Sequence, residues 1–192
     1  MRLLLGLVFA FTVAIVVGLG TTWFALTEGT AFGAITIGAW TAWPKTGTAG
    51  VDPYARAAIA RNGELPIGSG DGVAFFASTD DSGHVLDGRC DVVLSGTTPQ
   101  ARFWTLTLYD REGQLIANSM DRQGFTSQEI IRRSDGTFSI TMAARARTGN
   151  WLPTSGVERY VLVLRLYDTP VGVATRASRE APMPSVTTEQ CP

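Results

Sequence analysis

Arg165 stands between Leu164 and Leu166 in the run Tyr160-Val-Leu-Val-Leu-Arg-Leu-Tyr-Asp168, which is apolar on both faces and reads as a central strand. A guanidinium in that position needs a carboxylate, a groove or a sheet rim, because an unpaired buried charge costs several kcal/mol. It either closes an ion pair with a strand-end carboxylate or lines a groove for an anion or a sugar. A second strand, Phe103-Trp-Thr-Leu-Thr-Leu-Tyr-Asp110, shares Leu-x-Leu-Tyr-Asp with the first and places Trp104, Leu106 and Leu108 on one face. The shared ending invites a comparison of Asp110 with Asp168, since glycoside hydrolysis uses two carboxylates about 5–9.5 Å apart. The same aspartates also suit turn caps before Arg111-Glu112-Gly113 and Thr169-Pro170. Asn150-Trp151-Leu152-Pro153 sets an indole beside an amide, which either stacks on and hydrogen-bonds a carbohydrate or plugs a loop onto the core. The candidate binding surface is therefore Arg102, Trp104, Tyr109, Asn150, Trp151, Arg165 and Tyr167, and no catalytic constellation is evident.

Several chemistries are disfavoured. His84 is the only histidine and falls in a turn, without the nucleophile and orienting carboxylate of a hydrolytic triad. No set of His, Cys and acidic residues has metal-ligand spacing, so neither metal nor cofactor is expected. Gly68-Ser-Gly-Asp-Gly72 leads into a strand, Val73-Ala-Phe-Phe, and lacks the lysine of a phosphate loop. A net charge of −1 without a basic block argues against nucleic acid. Lys45 is the single lysine against fifteen arginines, a bias read as composition.

The elements that must position these residues begin with an uncharged stretch from Leu3 to Leu26. At 1.5 Å per residue it reaches roughly 36 Å, enough for a hydrocarbon core of about 30 Å. Arg2 precedes it and Glu28 follows, so the charge bias keeps the N-terminus in the cytoplasm and exports the remainder. The expectation is a single-pass inner-membrane protein with its C-terminal domain in the periplasm. The rival is a cleaved signal peptide, with Ala31-Phe32-Gly33 as its small-x-small site; such peptides carry an apolar core of only about 7–15 residues. Only Arg2, Glu28 and Lys45 are charged before Asp52, which divides the chain into an anchor (1–28), an interfacial linker (29–51) and an exported domain (52–192). Trp23, Trp40 and Trp43 form an interfacial collar around the exit or, alternatively, a hydrophobic lead-in packed on the domain. Gly29-x-x-x-Gly33 is a weak helix-pairing signal.

Cys90 and Cys191 both lie beyond the membrane, and in an oxidising compartment an isolated pair is most simply a disulfide. The bridge would pin a tail, Ala177 to Pro192, rich in Pro, Ser and Thr. Asp52, Pro53 and the Asn62-Gly63 stop delimit a short helix, with Ala57, Ala58 and Ile59 able to dock on a sheet. From Val73 onward, seven or eight short runs alternate with turns such as Asp80-Asp81-Ser82-Gly83, Asp87-Gly88 and Ser134-Asp135-Gly136. Among these runs are Val85-Leu86, Gln114 to Ala117 and Glu129 to Arg133. The fold class is mainly β: an antiparallel β-sandwich, jelly-roll-like, with one short helix, preceded by a transmembrane helix.

Tyr54-Ala-Arg-Ala, Gly63-Glu-Leu-Pro-Ile-Gly68, Arg102-Phe-Trp-Thr-Leu-Thr-Leu-Tyr-Asp110, Gly149-Asn-Trp-Leu-Pro153 and Leu164-Arg-Leu-Tyr-Asp168 together resemble the bacterial family called domain of unknown function 1214. The similarity runs from about Val51 to Pro192. In longer relatives a similar domain follows a second uncharacterised domain, numbered 1254, and adopts a jelly-roll β-sandwich; here the apolar stretch stands in that place. The resemblance implies the fold and an envelope location, and it assigns no catalytic residue. The resulting expectation is a membrane-tethered periplasmic module with a binding or structural role. The alternatives are an envelope enzyme acting on a glycan or other polar small molecule, and a docking subunit for a protein that carries the companion domain.

Overall fold

The computed structural model describes residues 2–27, 33–62, 66–68, 70–172 and 181–191. Gly29, Ala31, Phe32, Gly63 and residues 177–180, which figure in the expectations above, lie outside the described residues.

Helix α1 (Arg2–Thr27) has 26 residues and Arg2 as its only charge. It is about 39 Å long, and the span Arg2–Ala25 is long and apolar enough to cross a membrane. Its threonines suit an apolar setting. The Thr12 and Thr21 hydroxyls donate to the carbonyls of Val8 and Val17, each at 2.8 Å, and so bring no unsatisfied donor.

Among the described residues, ten strands form two sheets. The larger is antiparallel throughout, in the spatial order β1 (Ile35–Ile37), β2 (Trp40–Ala42), β3 (Gly72–Ala77), β9 (Val161–Tyr167), β5 (Phe103–Tyr109), β6 (Gly124–Thr126). The smaller runs β10 (Ser185–Gln190), β4 (Asp91–Gly96), β7 (Phe138–Ala143), β8 (Asn150–Pro153), with β8 parallel to β7. Alternation builds the core between them. Val73 and Phe75, Trp104, Leu106 and Leu108, and Leu162, Leu164 and Leu166 face Val92, Leu94, Phe138, Ile140, Met142 and Val186 from the other sheet. Strand β9 is central, as its two apolar faces predict: it pairs β3 on one side and β5 on the other.

Helix α2 (Pro53–Asn62) starts as the sequence predicts. Asp52 Oδ1 accepts hydrogen bonds from the amides of Tyr54 (2.9 Å) and Ala55 (3.2 Å). Among the helix residues whose burial is described, Ala55 is buried and Ala57 is exposed.

Two stretches expected to be irregular belong to the sandwich. The linker assigned to 29–51 contains β1 and β2, and Trp40 takes the second of its two expected places, packed on the domain rather than in an interfacial collar: it is 1% exposed and donates its indole N–H to Pro184 O at 2.7 Å. The tail contains β10, whose Val186 is fully buried against β4. In the other direction, the runs at Val85, Leu115 and Arg132 reduce to isolated bridges with Thr79, Tyr109 and Phe138. The expected disulfide is present: Cys90 joins Cys191 across 101 positions and fastens the end of β10 beside the start of β4.

Candidate functional site

Because β9 is central, its register fixes which residues share the outer face of the larger sheet. Arg165 lies between Ala74 on β3 and Thr105 on β5, and Val163 between Phe76 and Thr107. The odd-numbered residues of β5 and β9 therefore point away from the core that the even-numbered ones fill. The guanidinium carbon of Arg165 sits 5.3 Å from the centroid of the Tyr109 ring, a cation–π contact. Phe103 and Tyr167 are directly opposite one another, with ring centroids 5.9 Å apart. Trp43 meets Phe76 edge-on at 5.7 Å. Between these aromatic pairs the face is floored by small side chains, among them Ala74, Thr105 and Thr107. Val163 is 3% exposed although it faces outward.

Arg165 is the one charged residue on the outward positions of β3, β5 and β9. Among the described residues it makes no ion pair and no side-chain hydrogen bond. The ion pair with a strand-end carboxylate is therefore not formed. The guanidinium is half-buried and stacked on one aromatic ring, with its N–H groups left for something else. Arg102 stands at the rim of this face. Its amide donates to Tyr167 O at 3.1 Å, and its side chain, 83% exposed, comes within 4.0 Å of Asp168, a solvent-screened pair of little energetic weight.

Arg102, Tyr109, Arg165 and Tyr167 are thus brought to one face, and the other three candidates are not. Trp104 is a correction. It belongs to the even-numbered, inward set of β5, is 3% exposed and stacks on Phe138 at 5.3 Å. Asn150 is also a correction: it is buried in the smaller sheet, accepts from the Ile131 amide at 2.8 Å, and donates to Ile131 O and Ser139 O, both at 2.9 Å. These bonds use its amide to tie the 131 loop to β7. Trp151, on β8, donates its indole N–H to Ala143 O at 3.1 Å. It sits on the smaller sheet, whereas Arg165 is on the larger one.

The paired-carboxylate idea also fails for Asp110 and Asp168. Strands β5 and β9 run antiparallel with Phe103 opposite Tyr167 and Tyr109 opposite Val161, so the two aspartates leave at opposite ends, roughly 27 Å apart along the strands. Asp110 instead accepts from the Gln114 amide at 2.7 Å, as a turn cap does. Gly72 has a packing role rather than a phosphate-binding one, since a Cβ there would lie 2.1 Å from Leu166 O.

His84 lies on the surface as expected, yet it has a carboxylate partner that the sequence reading passed over, with Nδ1 3.4 Å from Asp80 Oδ2. Asp80 is buried and accepts from the Ser82 and His84 amides, each at 2.9 Å. Burial pushes its carboxyl pKa up. The adjacent Thr188 hydroxyl, these amides and the His84 side chain outweigh that and hold it below the ordinary 3.8. Asp81, next in sequence, spans the two sheets: Oδ1 accepts from Ala39 N at 3.1 Å and Oδ2 from Val186 N at 2.9 Å. Among the described residues, no three His, Cys, Asp or Glu side chains are grouped to hold a metal.

The outward aromatics Phe76 and Phe103 were missed as site members. Their signal was available in the alternation of β3 and β5, once β9 is taken as their common neighbour.

No curated protein matches this chain. The crystal structure of the VPA0106 protein from Vibrio parahaemolyticus aligns with a TM-score of 0.57 and 21% identity, over 73% of this chain and 36% of that one. An uncharacterized protein from Burkholderia cenocepacia aligns with a TM-score of 0.45 and 15% identity, over 88% of this chain and 39% of that one. The first likeness agrees with the β architecture, and this chain spans little more than a third of that protein's length. The model of a family of proteins of unknown function matches residues 71–171, from the turn before β3 to the short 3-10 turn after β9. That is more than half of the sequence, so the chain belongs to the DUF1214 family.

Proposed function

We propose that this protein is a membrane-tethered, periplasmic binding module of the bacterial envelope, and that it holds a polar, anionic small molecule or acidic glycan on the outer face of its six-stranded sheet. The observation that carries this reading is Arg165: a half-buried guanidinium without a polar partner among the described residues, stacked on Tyr109 over a floor of small side chains. A planar donor of this kind suits a carboxylate or phosphate approached in its own plane. Flanking aromatics such as Tyr109, Tyr167 and Phe103 supply faces on which sugar rings stack. The long apolar α1 supports the tether, with Arg2 on the cytoplasmic side, and the Cys90–Cys191 bridge supports an oxidising compartment for the sandwich.

The test is a titration of the isotopically labelled full-length protein in micelles with glucuronate oligosaccharides and their neutral glucose counterparts. The expected result is chemical-shift change confined to β3, β5 and β9, caused by the acidic series and removed by Arg165→Met. Equal response to both series, or an unchanged response in the variant, would rule the reading out.

A further inference from the structure

A second site lies outside the residues that the family model matches. A pocket of about 260 Å³ opens between the segment after β2 and the start of α2, and Gly33, Trp43, Lys45, Thr46, Val51, Asp52 and Ala55 are among its lining. Its size is just below the range of about 300–1,000 Å³ for small-molecule sites, which suits a headgroup better than a large ligand. Two features give it a chemical character.

The first is charge. The lining carries one cation and one anion, Lys45 and Asp52, and they are not paired with each other. The ammonium of Lys45 has no hydrogen-bond or ion-pair partner among the described residues. Asp52 spends Oδ1 on the amides of Tyr54 and Ala55, so the helix N-terminus is already satisfied and Oδ2 remains. Nearby Arg56 donates from its guanidinium to Ala49 O at 3.3 Å, which ties the helix to the loop before it. Unpaired opposite charges in one lining complement a zwitterion, and the carboxylate works against a purely anionic occupant.

The second is place. Gly33 follows the end of α1 at Thr27 by six residues, a reach of at most about 20 Å. The helix exceeds the hydrocarbon thickness by several ångströms. A pocket on so short a leash, with an indole and an aliphatic side chain in its wall, belongs at the headgroup layer.

We infer that this pocket binds the zwitterionic headgroup of an aminophospholipid, with Lys45 on the phosphate and Asp52 on the ammonium. The inference rests on α1 being a membrane anchor, and it is independent of the Arg165 face. It adds a recognition role to the tether: the domain is seated on the bilayer by a particular lipid class.

Native mass spectrometry of the full-length protein released from detergent, with added phosphatidylethanolamine, phosphatidylglycerol or phosphatidylcholine, tests it. Phosphatidylethanolamine is expected to remain bound at least tenfold more tightly than phosphatidylglycerol. It should also bind more tightly than phosphatidylcholine, whose quaternary nitrogen cannot donate to Asp52. Asp52→Asn, which retains a helix cap, should abolish the preference, and Lys45→Met should weaken retention of all three lipids, while thermal unfolding of both variants stays cooperative. Equal retention of all three lipids, a preference that survives Asp52→Asn, or retention unchanged by Lys45→Met would overturn the inference. Binding of free O-phosphoethanolamine without retention of the lipid would reassign the pocket to a soluble zwitterion and overturn the lipid assignment. Alkaline carbonate extraction of membranes tests the anchor separately. Protein that stays in the membrane but binds no lipid counts against the pocket alone, and protein that is extracted counts against the tether.

Discussion

The guanidinium of Arg165 lies 5.3 Å from the ring centroid of Tyr109, four register positions along from the residue that faces Tyr109 across the β5–β9 ladder. The long side chain therefore lies along the sheet, over the line of Val163, rather than standing away from it. A cation–π contact of this kind is worth about 0.5–2 kcal/mol depending on solvation. Arg165→Met is expected to keep the fold, with a change in unfolding free energy of no more than about 2 kcal/mol, and to remove binding of acidic glycans. Arg165→Lys should not restore it, because an ammonium lacks the planar donor fork. Paired urea melts and titrations check both statements.

Trp104 provides the contrast on the same strand. Its ring is in the core against Phe138, so Trp104→Ala should cost about 3–5 kcal/mol. Any residual folded protein should bind normally under the proposed function. A large loss of binding with little loss of stability, measured on one preparation, would return Trp104 to the surface.

The bridge between Cys90 and Cys191 closes a loop across 101 positions. Replacing both cysteines by serine should lower stability by about 2–5 kcal/mol, with the chain-entropy estimate near 4.7 for a loop of this length. Denaturant melts with and without reductant should separate the native protein into two curves and leave the variant on one.

Asp80 makes stability depend on acid. Its folded pKa is depressed below 3.8, so its contribution is complete above that value and is lost as pH falls through the depressed one. Asp80→Asn should cost about 1–3 kcal/mol at neutral pH, since a buried acceptor of two amides is weakened. It should also flatten the fall in stability below about pH 4. Thermal unfolding at pH 7 and pH 3 on both proteins gives the comparison.

Asp81 predicts a local rather than a global effect. Asp81→Ala leaves the amides of Ala39 and Val186 without acceptors, and hydrogen exchange at these two positions should accelerate before the rest of the sheets is affected.

Much of this was legible where a pattern is local. The alternation of Phe103 to Tyr109 gave both faces of β5, and the two-sided apolar run gave β9 its central position. The Asp52–Pro53 pair marked the start of α2, and two cysteines marked their bridge. What failed depends on partners far away in sequence. Strands β1 and β2 are three residues each, too short for periodicity to register, and they exist because β3 and the core accept Trp40 and Ala42. The parallel pairing of β8 with β7 has no local signal, since Asn150 meets Ile140 only after a six-residue return. Asn150 and Trp151 read either as a sugar site or as a plug on the core, because an amide beside an indole has the same composition whether it faces a ligand or ties down a loop, and Asn150 does the latter. The separation of Asp110 and Asp168 follows from strand direction, which two like sequences do not disclose.

The latch at Asp81 has a consequence for how the molecule is completed. Trp40, from the first hairpin, finds its polar partner only at Pro184, 144 positions later, and Asp81, which accepts from Ala39, takes its second amide from Val186, 105 positions further on. A chain emerging in order from its amino end would therefore hold an unfinished corner, with the β4 edge open, until its closing segment arrived. Closure of the smaller sheet and of that corner then falls in one late event, and until it happens the waiting edge is open to pairing with another chain.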